Sequence, residues 1–306
     1  MKIEEERNRF RGCLLGLAVG DAVGTTVEFR PRGSFAPLTD MVGGGPFHLL
    51  PGQWTDDTSM ALCLATSLVE CNGFDARDQM ERYNQWARSG YLSSTGSCFD
   101  IGNTVNSALI RFRQTGEPFA GSTDPRSAGN GSIMRLAPIP MFFFSDLDEV
   151  ERYAALSSRT THGAAESVDA CRLFARVIYR ALLGRSREEV LFGDSESFEG
   201  CEKILAIARG LYREKPKTEI RGSGYVVQSL EAALWCFVHT DNFKDAILMA
   251  ANLGDDADTT AAVCGQIAGA YYGENGIPPT WLEKLIMRDE ITELAESLYR
   301  GHAFLP

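Results

Sequence analysis

Residues 254–272 read GDDADTTAAVCGQIAGAYY. The stretch opens with Asp255, Asp256 and Asp258, adds the hydroxyls of Thr259 and Thr260, and continues as a run that is small and apolar on every face. A surface helix keeps a polar stripe, whereas a helix apolar all round is enclosed on all sides. The pattern therefore predicts a central helix over 258–272 with an acidic head. Far upstream the arrangement recurs. Thr55-Asp56-Asp57-Thr58 leads into 57–70, DTSMALCLATSLVE, which is also apolar nearly all round after its first turn. Two buried helices, each headed by carboxylates and a hydroxyl, frame the reading of everything between them.

Working outward, helical periodicity dominates. A first helix is expected over 4–19, with Phe10, Leu14, Leu17 and Ala18 on one stripe, stopping at Gly20-Asp21-Ala22-Val23-Gly24. Further helices are expected at about 75–88, 103–114, 147–158, 164–183, 200–213, 225–239, 243–252 and 287–299. Alternating strands are absent. Loops rich in Gly, Pro, Ser and Asn fall at about 29–54, 89–102 and 115–140, and loops of such length in a compact domain usually serve function. The expectation is an all-α, compact multi-helix bundle. The chain has 306 residues and 44% hydrophobic composition, enough for a large core. No linker-like segment interrupts it, so one domain over 1–306 is expected.

The formal net charge of −11 argues against direct nucleic-acid binding, which needs a basic face. It is compatible with cations or a cationic substrate group, and equally with ordinary solubility. The eight cysteines form no Cys-x-x-Cys pair and fall mostly inside apolar helical patterns, which predicts a reduced, cytoplasmic protein. The opening MKIEEERNRF is charged, so no signal peptide is expected. No apolar run looks long enough for a membrane span of about 20 residues.

Asp and Thr are favoured helix caps, and acids suit a helix N-terminus. Capping, however, uses one oxygen. Several carboxylates at the mouth of a core helix repel one another and resist burial, and bound cations relieve both costs. All the donors are hard oxygens with no His or Cys nearby, which favours magnesium, manganese or calcium over zinc or copper. The closing Glu of an EF-hand is missing. One carboxylate could bridge two ions.

Other elements are weaker alone. Glu28 follows the Gly-Asp-Ala turn and could project into a cleft. Asp100, in Phe99-Asp100-Ile101-Gly102-Asn103-Thr104, could equally be an N-cap. Gly129-Asn130-Gly131-Ser132 could bring backbone N–H groups against a phosphate. His162 reads as a capping or surface residue before a helix, and Tyr225 as a core aromatic.

Together these stretches resemble the ADP-ribosylglycohydrolase family. The resemblance is carried by RGCLLGLAVGDAVGTTVEF, GGGPFHLLPGQWTDDTSMAL, FDIGNTV, GNGSIMRLAPI, THG, GYVVQSLEAALW and NLGDDADTTAAVCGQIAGAYYG, in the family's order. It implies an orthogonal all-α bundle with a binuclear magnesium or manganese centre held by Thr55, Asp56, Asp57, Asp256, Asp258 and Thr259. Asp255 is a less direct match. The resemblance also implies catalytic carboxylates at Asp100 and Glu28. It implies substrate contacts at Asn103, His162 and Tyr225; the 129–132 loop, by its glycines, is expected to hold the diphosphate of such a substrate through backbone N–H groups. The implied activity is hydrolysis of the bond between ADP-ribose and a protein side chain, arginine above all. Serine-linked, acylated or nucleic-acid conjugates, or a non-catalytic binding, immunity or structural role, are the alternatives.

Overall fold

The computed structural model describes residues 2–193 and 195–302, and among them fourteen α-helices carry the fold. They are α1 (Lys2–Gly24), α2 (Asp56–Glu70), α3 (Ala76–Ser89), α4 (Asn103–Thr115), α5 (Pro138–Phe142), α6 (Leu147–Thr161), α7 (Ala165–Leu182), α8 (Arg187–Phe192), α9 (Glu202–Ala208), α10 (Val226–Val238), α11 (Phe243–Ala251), α12 (Ala257–Tyr272), α13 (Pro279–Lys284) and α14 (Arg288–His302). Pairing between extended segments is limited, among the described residues, to isolated bridges such as Gly129 with Tyr225 and Ser122 with His162. The all-α expectation is met.

The axis of the bundle is the antiparallel pair α1 and α12, and glycine makes that pair possible. Gly12, Gly16, Gly20 and Gly24 recur every fourth residue and so share one face of α1. A Cβ at Gly16 would stand 2.3 Å from the Gly265 carbonyl oxygen, and one at Gly20 would stand 2.2 Å from that of Ala261. In return, a Cβ at Gly269 would reach within 1.9 Å of the Gly12 carbonyl oxygen. The two backbones touch, and no side chain larger than hydrogen fits between them. Gly24 lies against Ala257 and the Cα of Asp258, so the C-terminal end of α1 lies beside the acidic head of α12.

This contact corrects one expectation. The first helix does not stop at Gly20; it runs to Gly24. Each glycine costs about 1 kcal/mol of helix propensity, and contact with α12 outweighs it. The same helix corrects a second one. The stretch from Ile3 to Val27 is long and apolar enough to cross a membrane by length and composition, yet 89% of its most apolar window is buried inside the fold. It is a core helix.

The helix α2 packs against α1, α5, α12 and α14, and Met60, Ala61, Leu62, Cys63 and Leu64 are fully enclosed. A smaller apolar cluster joins Met60 and Cys63 to Met80, Tyr83 and Trp86 of α3 and Leu109 of α4. The short helices α5, α8 and α13 were not expected. Of these, α8 carries a legible start: Ser186 and Glu189 form a capping box, with Glu189 accepting from Ser186 N–H at 3.0 Å.

Candidate metal and active site

Asp21 organises the site. Midway along α1's last turns, it is completely buried. Its Oδ1 accepts from the N–H (2.9 Å) and hydroxyl (2.9 Å) of Thr55, and its Oδ2 from the N–H (3.0 Å) and hydroxyl (2.6 Å) of Thr58. Asp21 thus caps α2 from another helix, satisfying donors that a helix start leaves open. Burial pushes its carboxyl up to about 6, against the pull of those four bonds.

With that cap supplied from outside, the residues at the helix heads are left for other work. Thr55 is the N-cap of α2 and Asp256 that of α12, and neither makes a side-chain capping bond. The capping explanation of these motifs therefore fails on geometry. Thr55 Oγ1 lies 3.3 Å from both Asp57 Oδ2 and Asp258 Oδ2 as well as 2.9 Å from Asp21. Thr259 Oγ1 stands 3.3 Å from the same Asp57 oxygen. One hydroxyl proton cannot serve three carboxylates. Asp57 Oδ1 and Asp258 Oδ1 are buried with no hydrogen-bond partner at all.

Among the described residues two triads of carboxylates result, each with ligand atoms within 4.8 Å of one another: Asp21, Asp57 and Asp258, and Glu28, Asp100 and Asp258. Asp258 belongs to both. The first triad is fully enclosed; the second reaches the surface through the half-buried Asp100. Asp56, Asp57 and Asp258 are held well above the usual carboxylate range, first by burial and then by one another and by Asp100, Asp21 and Glu28. Burial, then Asp100 and Asp256, push Glu28 up to about 9; burial, then Asp256 and Asp21, push Asp100 to about 7. Orphaned buried oxygens, surplus acceptors and mutual repulsion in an all-oxygen set are what a hard divalent cation relieves. The residues fit such an ion.

The second triad floors a cleft of about 750 Å³. Among the predicted residues, Glu28, Asp56, Asp100, Asn103, Gly129, Asn130, Gly131, His162, Asp256, Asp258 and Thr259 line it. Thr55 and Asp57 lie beneath it. Asp100 is not an N-cap, since Gly102 holds that position on α4. Asp100 instead adopts a left-handed backbone, φ 60°. Asn130 donates to Asp256 Oδ2 at 2.8 Å, tying the glycine loop to the head of α12.

Two predicted residues, Ser132 and Tyr225, stand apart from the cleft walls. Ser132 is buried and accepts from the Ser158 hydroxyl at 3.1 Å, facing α6. Tyr225 lines a neighbouring pocket with Glu166 and Lys203; its hydroxyl donates to Glu166 at 2.5 Å and accepts from Lys203 at 2.7 Å. His162, expected at the surface or as a cap before a helix, is a buried residue closing α6. The Gly129-Asn130-Gly131 loop wraps its ring: Cβ atoms at those glycines would come within 3.2 and 2.8 Å of it. Burial, then the nearby Arg135, hold its pKa down to about 3, so it is neutral.

Arg135 is a residue sequence reasoning missed. Fully buried, it donates to the Gly131 carbonyl (2.6 Å), the Ser157 carbonyl (3.2 Å) and the hydroxyls of Thr160 (3.2 Å) and Thr161 (2.8 Å), with its face 4.9 Å from the Tyr83 ring. Thr161 in turn is 2.8 Å from His162 Nδ1. Arg135 therefore holds the glycine loop and its histidine in place from beneath. Arg135→Ala is expected to lower stability by roughly 3 kcal/mol, because several buried acceptors lose their donor at once; the midpoint of urea unfolding measures this. Asp21 was missed because Gly20 and Gly24 were read as a stop; continuing the helix would have placed Asp21 inside the core.

A profile of the ADP-ribosylglycohydrolase family matches residues 3–304. The chain is 46% identical over 295 residues to the ADP-ribosylarginine hydrolase Tri1 of Serratia proteamaculans, covering 96% of this chain and 80% of that one. It is 34% identical over 287 residues to the ADP-ribosyl-[dinitrogen reductase] glycohydrolase of Rhodospirillum rubrum, covering 92% of each. A solved structure titled ADP-ribosylglycohydrolase-related protein complex superposes with a TM-score of 0.86 at 41% identity, over 98% of this chain and 99% of that one.

Proposed function

This chain belongs to the ADP-ribosylglycohydrolase family, and from that premise we propose that it is a metal-dependent hydrolase releasing ADP-ribose from modified arginine side chains of proteins. The observation that supports the reading most is the pair of carboxylate triads joined at Asp258, which suits two hard ions side by side. We read Thr55, Asp56, Asp57, Asp256, Asp258 and Thr259 as the ligands of two magnesium or manganese ions, with Asp21 setting the inner subsite. Similarity to relatives named for ADP-ribosylarginine supports the linkage. We further read the whole chain as one catalytic unit, working in the cytoplasm, where its eight free cysteines stay reduced.

When bound, such ions offer Lewis acidity toward substrate oxygens and lower the pKa of a nearby water. The protein's own residues do the rest. Asp100, half-buried at the cleft floor, takes the proton of the attacking water, its carboxyl tuned near neutrality by burial. Glu28, beside it, orients that water; as the water oxygen bonds to the anomeric carbon through an oxocarbenium-like state, the C–N bond to the arginine breaks and the guanidine departs, taking up a proton. The 129–131 loop presents backbone to the diphosphate, with neutral His162 beneath it adding no competing charge. Asn103 stands at the N-terminus of α4, on the cleft wall, within reach of the same ligand.

The test is hydrolysis of an arginine-ADP-ribosylated protein with magnesium or manganese, and again with a chelator. Activity should require the metal, and the metal should raise the melting temperature, since an ion bound only by the folded state stabilises it by mass action. At a hundredfold excess over Kd the gain is about 2.7 kcal/mol. Turnover and melting both indifferent to chelation would remove the metal from the account.

A further inference from the structure

Phe29 stands out on three counts. Its side chain is 65% exposed, it lines the cleft next to Glu28, and its φ of 61° lies in the left-handed region that a bulky side chain avoids. That backbone is held by a reciprocal clasp. Phe29 N–H donates to the Asp255 carbonyl at 2.7 Å, and Asp255 N–H, itself at φ 57°, donates to the Arg30 carbonyl at 2.8 Å. Strain of this kind persists where the surroundings enforce it, and it gathers at working sites. Here it holds an aromatic ring out over an acidic cleft.

The ring has company. Phe47, from the glycine-rich loop, meets Phe29 edge-on with centroids 6.4 Å apart. Phe99, next to Asp100 in the chain, lies 5.1 Å from Phe47. Three separate segments thus deliver one row of rings, and its two ends adjoin the two carboxylates of the outer triad. The neighbouring cation is turned away: Arg30 covers Phe35 at 5.4 Å and donates to the Ser34 carbonyl at 2.8 Å.

We propose that Phe29, with Phe47 and Phe99 behind it, is the subsite for the acceptor arginine, receiving the guanidinium of the modified protein and setting preference for that linkage. The inference rests on the arginine-directed reading above and assigns residues to the leaving side chain. A guanidinium is planar, weakly hydrated and cationic, so it stacks on an aromatic face while its charge is met by carboxylates. The cleft rim offers both together, with the ring on the solvent side of Glu28 and Asp100, where a protein-borne leaving group must depart. A serine hydroxyl offers neither plane nor charge to such a ring.

The experiment measures two quantities on Phe29→Ala, Phe29→Gly and Phe29→Tyr: KM and kcat for an arginine-linked ADP-ribosyl peptide, and affinity for free ADP-ribose, which lacks the acceptor. Loss of the stacking face should raise KM for the peptide roughly three- to thirtyfold in the Ala and Gly variants. ADP-ribose affinity should stay within about twofold, and Tyr should restore KM. Because Phe29 is exposed and Gly suits its backbone, all three variants should melt near the wild type. An active wild type whose KM ignores Phe29→Ala, or a loss of ADP-ribose affinity equal to the loss in KM, would overturn the subsite. A folded wild type that releases nothing from the arginine-linked peptide would instead overturn the functional reading, and the subsite with it.

Discussion

Asp258→Asn should slow hydrolysis of arginine-linked ADP-ribose by a factor on the order of a thousand or more, while raising the melting temperature of the protein in chelator. The two halves of this expectation have one cause. Asp258 is the carboxylate common to both triads, so its loss disables both at once. It is also buried, with one oxygen unpartnered, and Glu28, Asp57 and Asp256 add repulsion to the burial. An amide of the same shape removes the charge, so the metal-free fold loses a source of strain. Sites that trade stability for function behave this way. A variant that melts lower than wild type in chelator, or that keeps its activity, would contradict the assignment.

The same repulsion predicts a pH dependence. Asp21 and Asp100 sit at about 6 and about 7 in the folded chain, above the value near 4 of a free aspartate. Between those values the folded state holds more protons than the unfolded one, so stability falls as pH rises through that window. In chelator the protein should therefore melt progressively lower from pH 4 toward pH 7. Magnesium should flatten the slope, and its binding should release protons into a weakly buffered solution.

Gly269→Ala is expected to destabilise the fold by roughly 3 kcal/mol or more, read as a fall in melting temperature of roughly 5–10 °C. In an open helix the same change would stabilise by about 1 kcal/mol, so the sign alone is informative. The difference lies in what the new methyl meets. It would stand 1.9 Å from the Gly12 carbonyl oxygen, a backbone atom that cannot rotate aside. The two helices α1 and α12 would have to part, and with them the shared site, since Asp21 and Asp258 reach it from these two helices. Metal-induced stabilisation should weaken alongside. A neutral or stabilised variant would show that the two backbones are not in contact.

The acidic motifs were legible because they break a local rule: charged residues heading helices whose every other face is apolar. Capping and the helix dipole account for one acid at a helix head but not for several together, and the cost of burying them points to a cation. Asp56, Asp256 and Asp258, from helix heads far apart in the chain, line one cleft, and Asp57 shares a triad with Asp258. What escaped was set by tertiary contact. Gly20 and Gly24 carry a breaker's propensity that places Asp21 in a turn, whereas in the fold these glycines admit α12. His162 looked like a surface residue because the loop that buries it is distant in sequence. Tyr225 reads as a core aromatic but is half-buried, because its partners, Glu166 and Lys203, come from other elements and draw it into an adjoining pocket. Phe29 opens the expected 29–54 loop; its clasp with Asp255 joins residues far apart in the chain and has no local signature.

The central claim is that the heads of α2 and α12 share a divalent-ion site with the end of α1. Manganese soaked into crystals of the wild-type chain, and located by its anomalous scattering, tests it most directly. The expected map has one peak beside Asp57 and Asp258, in the inner triad with Asp21, and a second beside Asp258 on the cleft side, where Asp56, Asp256 and Thr259 line the cleft and Glu28 and Asp100 border it. A map with no peak there at saturating manganese, or with manganese only on surface carboxylates, would contradict it.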